Sequence, residues 1–291
     1  MPGEHEDQPP ITIRTMGAGD IEAGMRLKRL AGWNQVEADW RLFLAASPAG
    51  CFAAEADGRV VGTVTSINYG GIVSWIAMVL VDPEYRRRGI GTRLLRTALN
   101  YLADRCETIK LDATPAGKML YDTLGFRDEY GLRRMVHAGP DRAPAPPGGV
   151  RPIAPGDLPA LLALDGTAFG VSRRVVLHDL LQRMPSLGWV RVAGGRPVAF
   201  CMGRDGENFC QIGPIVAEGT EDAAAVAAAA LGTLPGRPIL MDVLNGQDEF
   251  LRWLETRGFT GQRPFIRMCR GPNRRSGRPA LQFAGAGPEL G

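Results

Sequence analysis

Residues 75–92 read WIAMVLVDPEYRRRGIGT. The first seven form an unbroken apolar run, as a strand covered on both faces requires. The run stops at Asp82 and Pro83, and three arginines and two glycines follow before a new pattern starts. Leu94, Leu95, Ala98, Leu99 and Leu102 then recur on one face of a helix. A strand, a glycine-containing turn and a helix N-terminus together make an anion site. The glycines let the backbone approach a ligand closely, and the first-turn N–H groups and positive dipole end favour phosphate. Arg86, Arg87 and Arg88 add charge-assisted donors.

Outward from this stretch, periodicity predicts a strand at 11–15, helices near 20–31 and 35–46, and strands at 51–56, 59–69 and 73–81. A helix at 90–104, a strand at 108–113, a helix at 115–124 and a strand at 126–136 follow. The remainder echoes this order, with strands near 188–193, 197–204 and 208–216, a helix near 221–232, a strand at 238–243, a helix at 247–257 and a strand at 260–269. Three short matches recur in order: RTMGAGDI (14–21) with RPIAPGDL (151–158), GRVV (58–61) with GRPV (195–198), and LGF (124–126) with RGF (257–259). They indicate an internal duplication, with Asp20 and Asp157 each placed to N-cap the helix that follows. The expected class is α/β, in the mixed α+β sense: two related domains, each a mixed, mostly antiparallel sheet flanked by helices. The expected boundaries are a disordered tail at 1–10, a domain at 11–137, a Pro/Gly-rich linker at 138–149, a second domain at 150–270 and a disordered tail at 271–291.

The 291 residues suffice for two ordinary domains. A hydrophobic fraction of 45% and a charged fraction of 22% describe a globular chain. Net charge of +3 does not imply a nucleic-acid surface. No apolar run approaches the ~20 residues that span a bilayer, and residues 1–10 have no signal-peptide core, so a cytoplasmic protein without a membrane partner is expected. Five cysteines without a CxxC pair, and three histidines, point away from metal and disulfides and toward buried free thiols.

Arg86-x-x-Gly89-x-Gly91, after the fourth strand and before a helix, resembles the R/Q-x-x-G-x-G/A signature of the GNAT superfamily of acetyltransferases. LDATPAGKMLYDTLGF (111–126) is similar to that family's N-x-x-A-x-x-L-Y-x-x-L-G-F segment, with Thr114 where Asn is usual and Gly117 where Ala is usual. The resemblance covers 11–137 and implies a tandem form, with a divergent GNAT-like domain behind the first. It implies that Arg86, Arg87, Arg88, Gly89, Ile90, Gly91 and Thr92 hold the diphosphate of acetyl-CoA (coenzyme A), that Val79 and Val81 pair with its pantetheine arm, and that Thr114 lies along it. It further implies the Val81 N–H at the thioester carbonyl and Tyr121 as the general acid. The implied reaction is acetyl transfer to a primary amine, of a small molecule or a protein, by direct attack, in a monomer or homodimer. A non-catalytic acyl-CoA sensor is the alternative.

No acid lies on the run 75–81, so Asp112 on the neighbouring strand is the candidate base or water-positioning residue, and a water relay would also serve. Trp33, Asn34, Asp39 and Trp40 either border the acceptor pocket, as in the family, or are core tryptophans and a capping Asp. In the second half, IVAEGTEDA (215–223) replaces the arginine turn. Thr220 is the expected N-cap, and Glu218, Glu221 and Asp222 stand where a diphosphate needs donors, so this half is expected to lack the cofactor. Arg173, Arg174, His178, Arg204 and Asp242 read there as structural or solvated groups.

Overall fold

A computed structural model describes residues 10–140 and 148–291. The tail expected at 1–10, apart from Pro10, and most of the expected linker lie outside the described residues. The elements in chain order are β1 (Thr12–Thr15), α1 (Ile21–Leu30), α2 (Glu37–Ala46), β2 (Phe52–Ala56), β3 (Arg59–Tyr69), β4 (Val73–Val81), α3 (Ile90–Leu102), β5 (Thr108–Ala113), α4 (Pro115–Thr123) and β6 (Arg127–His137). Then come β7 (Val150–Pro152), α5 (Leu158–Phe169), α6 (Arg174–Arg183), β8 (Trp189–Ala193), β9 (Arg196–Arg204), β10 (Cys210–Ala217), α7 (Thr220–Leu231), β11 (Ile239–Leu244), α8 (Asp248–Glu255), β12 (Thr260–Arg270) and β13 (Gln282–Ala284). The class is mixed α/β with mostly antiparallel strands, as expected. No helix among the described residues is long and apolar enough to cross a membrane.

The chain folds as two compact units, one made of the chain up to Ile67 with Met78–Asp104, the other of Asn68–Ala77 with Arg105–Gly291. In the first unit β1 pairs with β2 and β2 with β3, all antiparallel. Helix α3 packs against β2 and buries Ile90, Leu94, Leu95, Ala98, Leu99 and Leu102, the stripe its 3.6-residue period sets. Burying each of its leucines contributes about 1.5–3 kcal/mol. Met78, inside β4, has φ of +50°, a left-handed conformation rare for a non-glycine residue.

In the second unit the ladder order is β4 (its first residues), β5, β12, β6, β11, β13, β10, β9, β8, β7. The β4–β5 and β10–β11 ladders are parallel, and the other pairs are antiparallel. Helix α7 packs on β9 and β10, its alanines letting the helix approach the sheet closely.

The two last strands are exchanged. β12, from the second half, pairs with β5; β6, from the first half, pairs with β11; and β6 and β12 pair with each other. Arg267 faces Asp112, and Arg134 faces Asp242. The two arginines are equivalent, since each follows its Gly-Phe pair (Gly125-Phe126, Gly258-Phe259) by the same interval. A boundary near 138–149 therefore divides the chain but not the ladders.

Two local expectations are corrected. Asp20 and Asp157 make no forward cap bond to their helices. Each reaches back, accepting from the N–H of Gly17 or Ala154 at 2.8 and 2.7 Å and from Arg14 or Arg151 through both oxygens. A short 3-10 turn precedes each helix, which puts the carboxylate at its third position and turns it toward the chain before it. Residues 271–291 are not a disordered end. The Gln247 amide donates to the carbonyls of Pro279, Ala280 and Gln282, and Phe283, Ala284, Ala286 and Leu290 are buried. A three-residue strand among glycines and prolines carries too short a pattern to be read from sequence.

Candidate active site

The turn after β4 is built on Asp82. Its N–H donates to the Val61 carbonyl at 2.9 Å, and its carboxylate accepts from the Glu84 N–H at 3.2 Å, from Arg26 at 2.6 Å and from Arg59 at 3.1 Å. Burial would raise the Asp82 carboxyl, but the bonds from Arg26 and Glu84 and the charges of Arg26 and Arg59 hold it below its ordinary value. Arg26 also donates to the Val60 carbonyl at 2.7 Å. Helix α1, the β3 entry and the turn are thus tied to one carboxylate. Asp82, Arg26 and Arg59 were missed by sequence reasoning; the available signal was an Asp-Pro pair closing a strand, where Asp caps and Pro starts a turn.

Beyond this anchor the backbone opens. Arg87 has φ of +61°, and Gly89 sits at the N-cap of α3 with φ of +70°. A β-carbon at Gly89 would meet no atom within 4 Å. Arg86 and Arg87 are exposed, and the Arg88 guanidinium lies 5.1 Å from the Tyr85 ring centre. The first N–H groups of α3 have no intrahelical acceptor, and Ile90, Gly91 and Thr92 supply them. Val79 and Val81 are half-buried on β4. Cations, free N–H groups and open space around a glycine fit a diphosphate.

The second unit holds Asp112, Thr114 and Tyr121. Thr114 accepts from the Gly117 N–H at 3.2 Å and caps α4. The Tyr121 ring packs edge-on to Phe126 at 5.9 Å, and burial pushes its phenol up to about 12, so it keeps its proton at neutral pH. The expectation for Asp112 is corrected. Its carboxylate is 2% exposed and takes two bonds from Arg267, at 2.8 and 2.9 Å. Arg267 also donates to the Tyr130 hydroxyl at 2.8 Å and lies 4.6 Å from the Trp75 ring centre. Burial pushes the Asp112 carboxyl up against the pull of Arg267. A carboxylate so enclosed has no free face toward an amine or water, which a base needs.

Asp39 and Trp40 are fully buried, and Asp39 accepts from the Val36 N–H at 2.8 Å, so the core alternative holds for them. Beside them Lys28, also fully buried, has its ammonium pushed down to about 8, chiefly by burial.

In the second half Gly219, not Thr220, stands at the N-cap of α7. Glu218 and Asp222 are paired with Arg196 and Arg191, so they bind arginines across the turn as well as repelling anions. Arg173 pairs with Asp165, and Arg134 with Asp242, both buried. All five cysteines are free, and burial raises the Cys51 thiol to about 11. Among the described residues no cluster of His, Cys, Asp and Glu could hold a metal.

The model of the Acetyltransferase (GNAT) family matches residues 25–126, and an Acetyltransferase (GNAT) domain model matches 161–284. The chain is 25% identical over 260 residues to holothin acyltransferase of a Pseudoalteromonas species, covering 89% of this chain and 87% of that protein. It is 31% identical over 138 residues to an uncharacterized N-acetyltransferase of Methanocaldococcus jannaschii, covering 45% of this chain and 87% of that one. Among solved structures, a putative acetyltransferase from Pyrococcus horikoshii superposes with a TM-score of 0.80 at 23% identity, with both chains covered entirely.

Proposed function

Because the chain belongs to the GNAT acetyltransferase family, with two GNAT domains in tandem, we propose that its first half binds acetyl-CoA and transfers the acetyl group to a primary amine. The observation that carries this reading is the turn at Arg86–Thr92: rigidly anchored through Asp82, yet open around Gly89. Arg86, Arg87 and Arg88 neutralise the diphosphate, and the N–H groups of Gly89, Ile90, Gly91 and Thr92 bind its oxygens at the positive end of α3. The backbone of Val79 and Val81 pairs with the pantetheine amides as an added strand, and the Val81 N–H faces the carbonyl oxygen where charge develops. Thr114 lies along the arm. When bound, acetyl-CoA supplies an activated acyl carbon and a thiol leaving group. Tyr121, protonated at neutral pH, is the acid for that thiol. With Asp112 committed to Arg267, proton removal from the amine falls to water.

That commitment is also what favours the alternative, a non-catalytic acyl-CoA sensor, since the chain then presents no side-chain base among the residues assigned. Calorimetric titration with acetyl-CoA tests the shared premise. One site per chain, lost in Arg88→Glu, is expected; no binding sinks both readings. Thiol release with a panel of small amines and lysine peptides then separates them, because a sensor releases none.

A further inference from the structure

We propose that Gln282–Gly291 is the resident occupant of the second half's own cofactor slot, held where the first half would take a pantetheine arm. This rests on the reading that Val79 and Val81 line the pantetheine site.

The internal repeat fixes the correspondence. Asp112 and Asp242 are equivalent, each being the cross-strand partner of an equivalent arginine. Two residues before each aspartate, the parallel ladders pair Lys110 with Trp75 and Leu240 with Gln211. Trp75 therefore corresponds to Gln211, Val79 to Ile215 and Val81 to Ala217. The irregularities agree: Met78 has its positive φ where the β10 ladder shifts register between Ile212 and Ile215.

At these positions the second half is filled. The β10–β11 ladder stops after Cys210 and Gln211, and β13 lies between the two strands, pairing Ala284 with Ile215 and with Val243, and Gln282 with Val216. The Gly285 N–H donates to the Asp242 carbonyl at 2.9 Å. An extended chain of amides is the ligand class that such an edge recognises, and a pantetheine arm and a peptide strand share that chemistry. The fit is written into the sequence at Gly213, where a β-carbon would stand 2.0 Å from the Gly285 carbonyl oxygen. Past the strand the segment is locked by side chains. The Trp75 indole donates to the Pro288 carbonyl and the Tyr69 hydroxyl to the Leu290 carbonyl, each at 2.9 Å. Arg204 pairs with Glu289, which is 3% exposed, and Arg173 donates to the Gly291 carbonyl.

Hydrogen exchange of the full chain, followed by mass spectrometry with and without saturating coenzyme A, tests this. Peptides covering 282–290 should be strongly protected in the free protein and unchanged by coenzyme A, while peptides covering 89–92 gain protection. Rapid exchange at 282–290 without ligand, or protection there that falls when coenzyme A binds, overturns the proposal. Absence of any change at 89–92 sinks instead the cofactor reading of the first half. In Gly213→Val the 282–290 protection should fall at least tenfold with the 89–92 response retained; unchanged 282–290 protection in that variant also overturns it.

Discussion

A carboxylate that acts as a base must keep a lone pair toward its substrate, and Asp112 gives both oxygens to Arg267. Removing one partner of such a buried pair strands the other charge and costs about 3–5 kcal/mol, whereas replacing both with apolar groups is near neutral. Asp112→Asn should therefore lower unfolding free energy by about 3–5 kcal/mol in urea, and Asp112→Leu with Arg267→Met should recover most of it. A variant of wild-type stability that had lost one limb of its pH–rate profile would restore Asp112 as a base. Lys28 carries a second prediction. Its pKa in the folded chain, about 8, lies below the ordinary lysine value. Between those two values the unfolded chain holds more protons than the native one, so stability rises with pH there. Relative to Lys28→Met, the wild type should gain stability from pH 8 to about 10.5 and show no such trend between pH 6 and 7.

At the scale of elements, the β4–turn–α3 unit depends on one left-handed residue. Gly89→Ala places a β-carbon at φ of +70°, which costs about 1–2 kcal/mol. Both a lower thermal midpoint and weaker acetyl-CoA binding are expected from calorimetry on that variant. Unaltered affinity would mean that the turn does not carry the diphosphate. This element was legible in the sequence almost to the residue, because an apolar run, a glycine turn and a 3.6-residue stripe are all local signals. What anchors it was not legible. Asp82 is held by Arg59 and Arg26, 23 and 56 positions away, and no local pattern marks which of many arginines folds back. Asp112 misled for the same reason: its partner lies 155 positions on, in the other half.

For the whole molecule, alternation along a strand tells which face is buried but not which strand lies beside it. β6 and β12 were placed correctly as last strands, yet their exchange could not be read from either half. The exchange makes the two halves interdependent, since β5 takes its neighbour from the second half and β11 takes one from the first. Each junction carries a buried ion pair, Asp112–Arg267 and Asp242–Arg134, with every one of these side chains at most 6% exposed. Separating the halves would bare four strand edges and four unpaired charges. That cost far exceeds a typical folding stability of about 5–15 kcal/mol once each buried charge is counted at several kcal/mol. A protease site engineered between Pro140 and Gly148 tests the point. After cleavage the two fragments should co-elute on size exclusion in native buffer and separate only in denaturant. Fragments that part in native buffer, each keeping its circular dichroism, would show that each half closes its own sheet and that the exchanged pairing does not exist in solution.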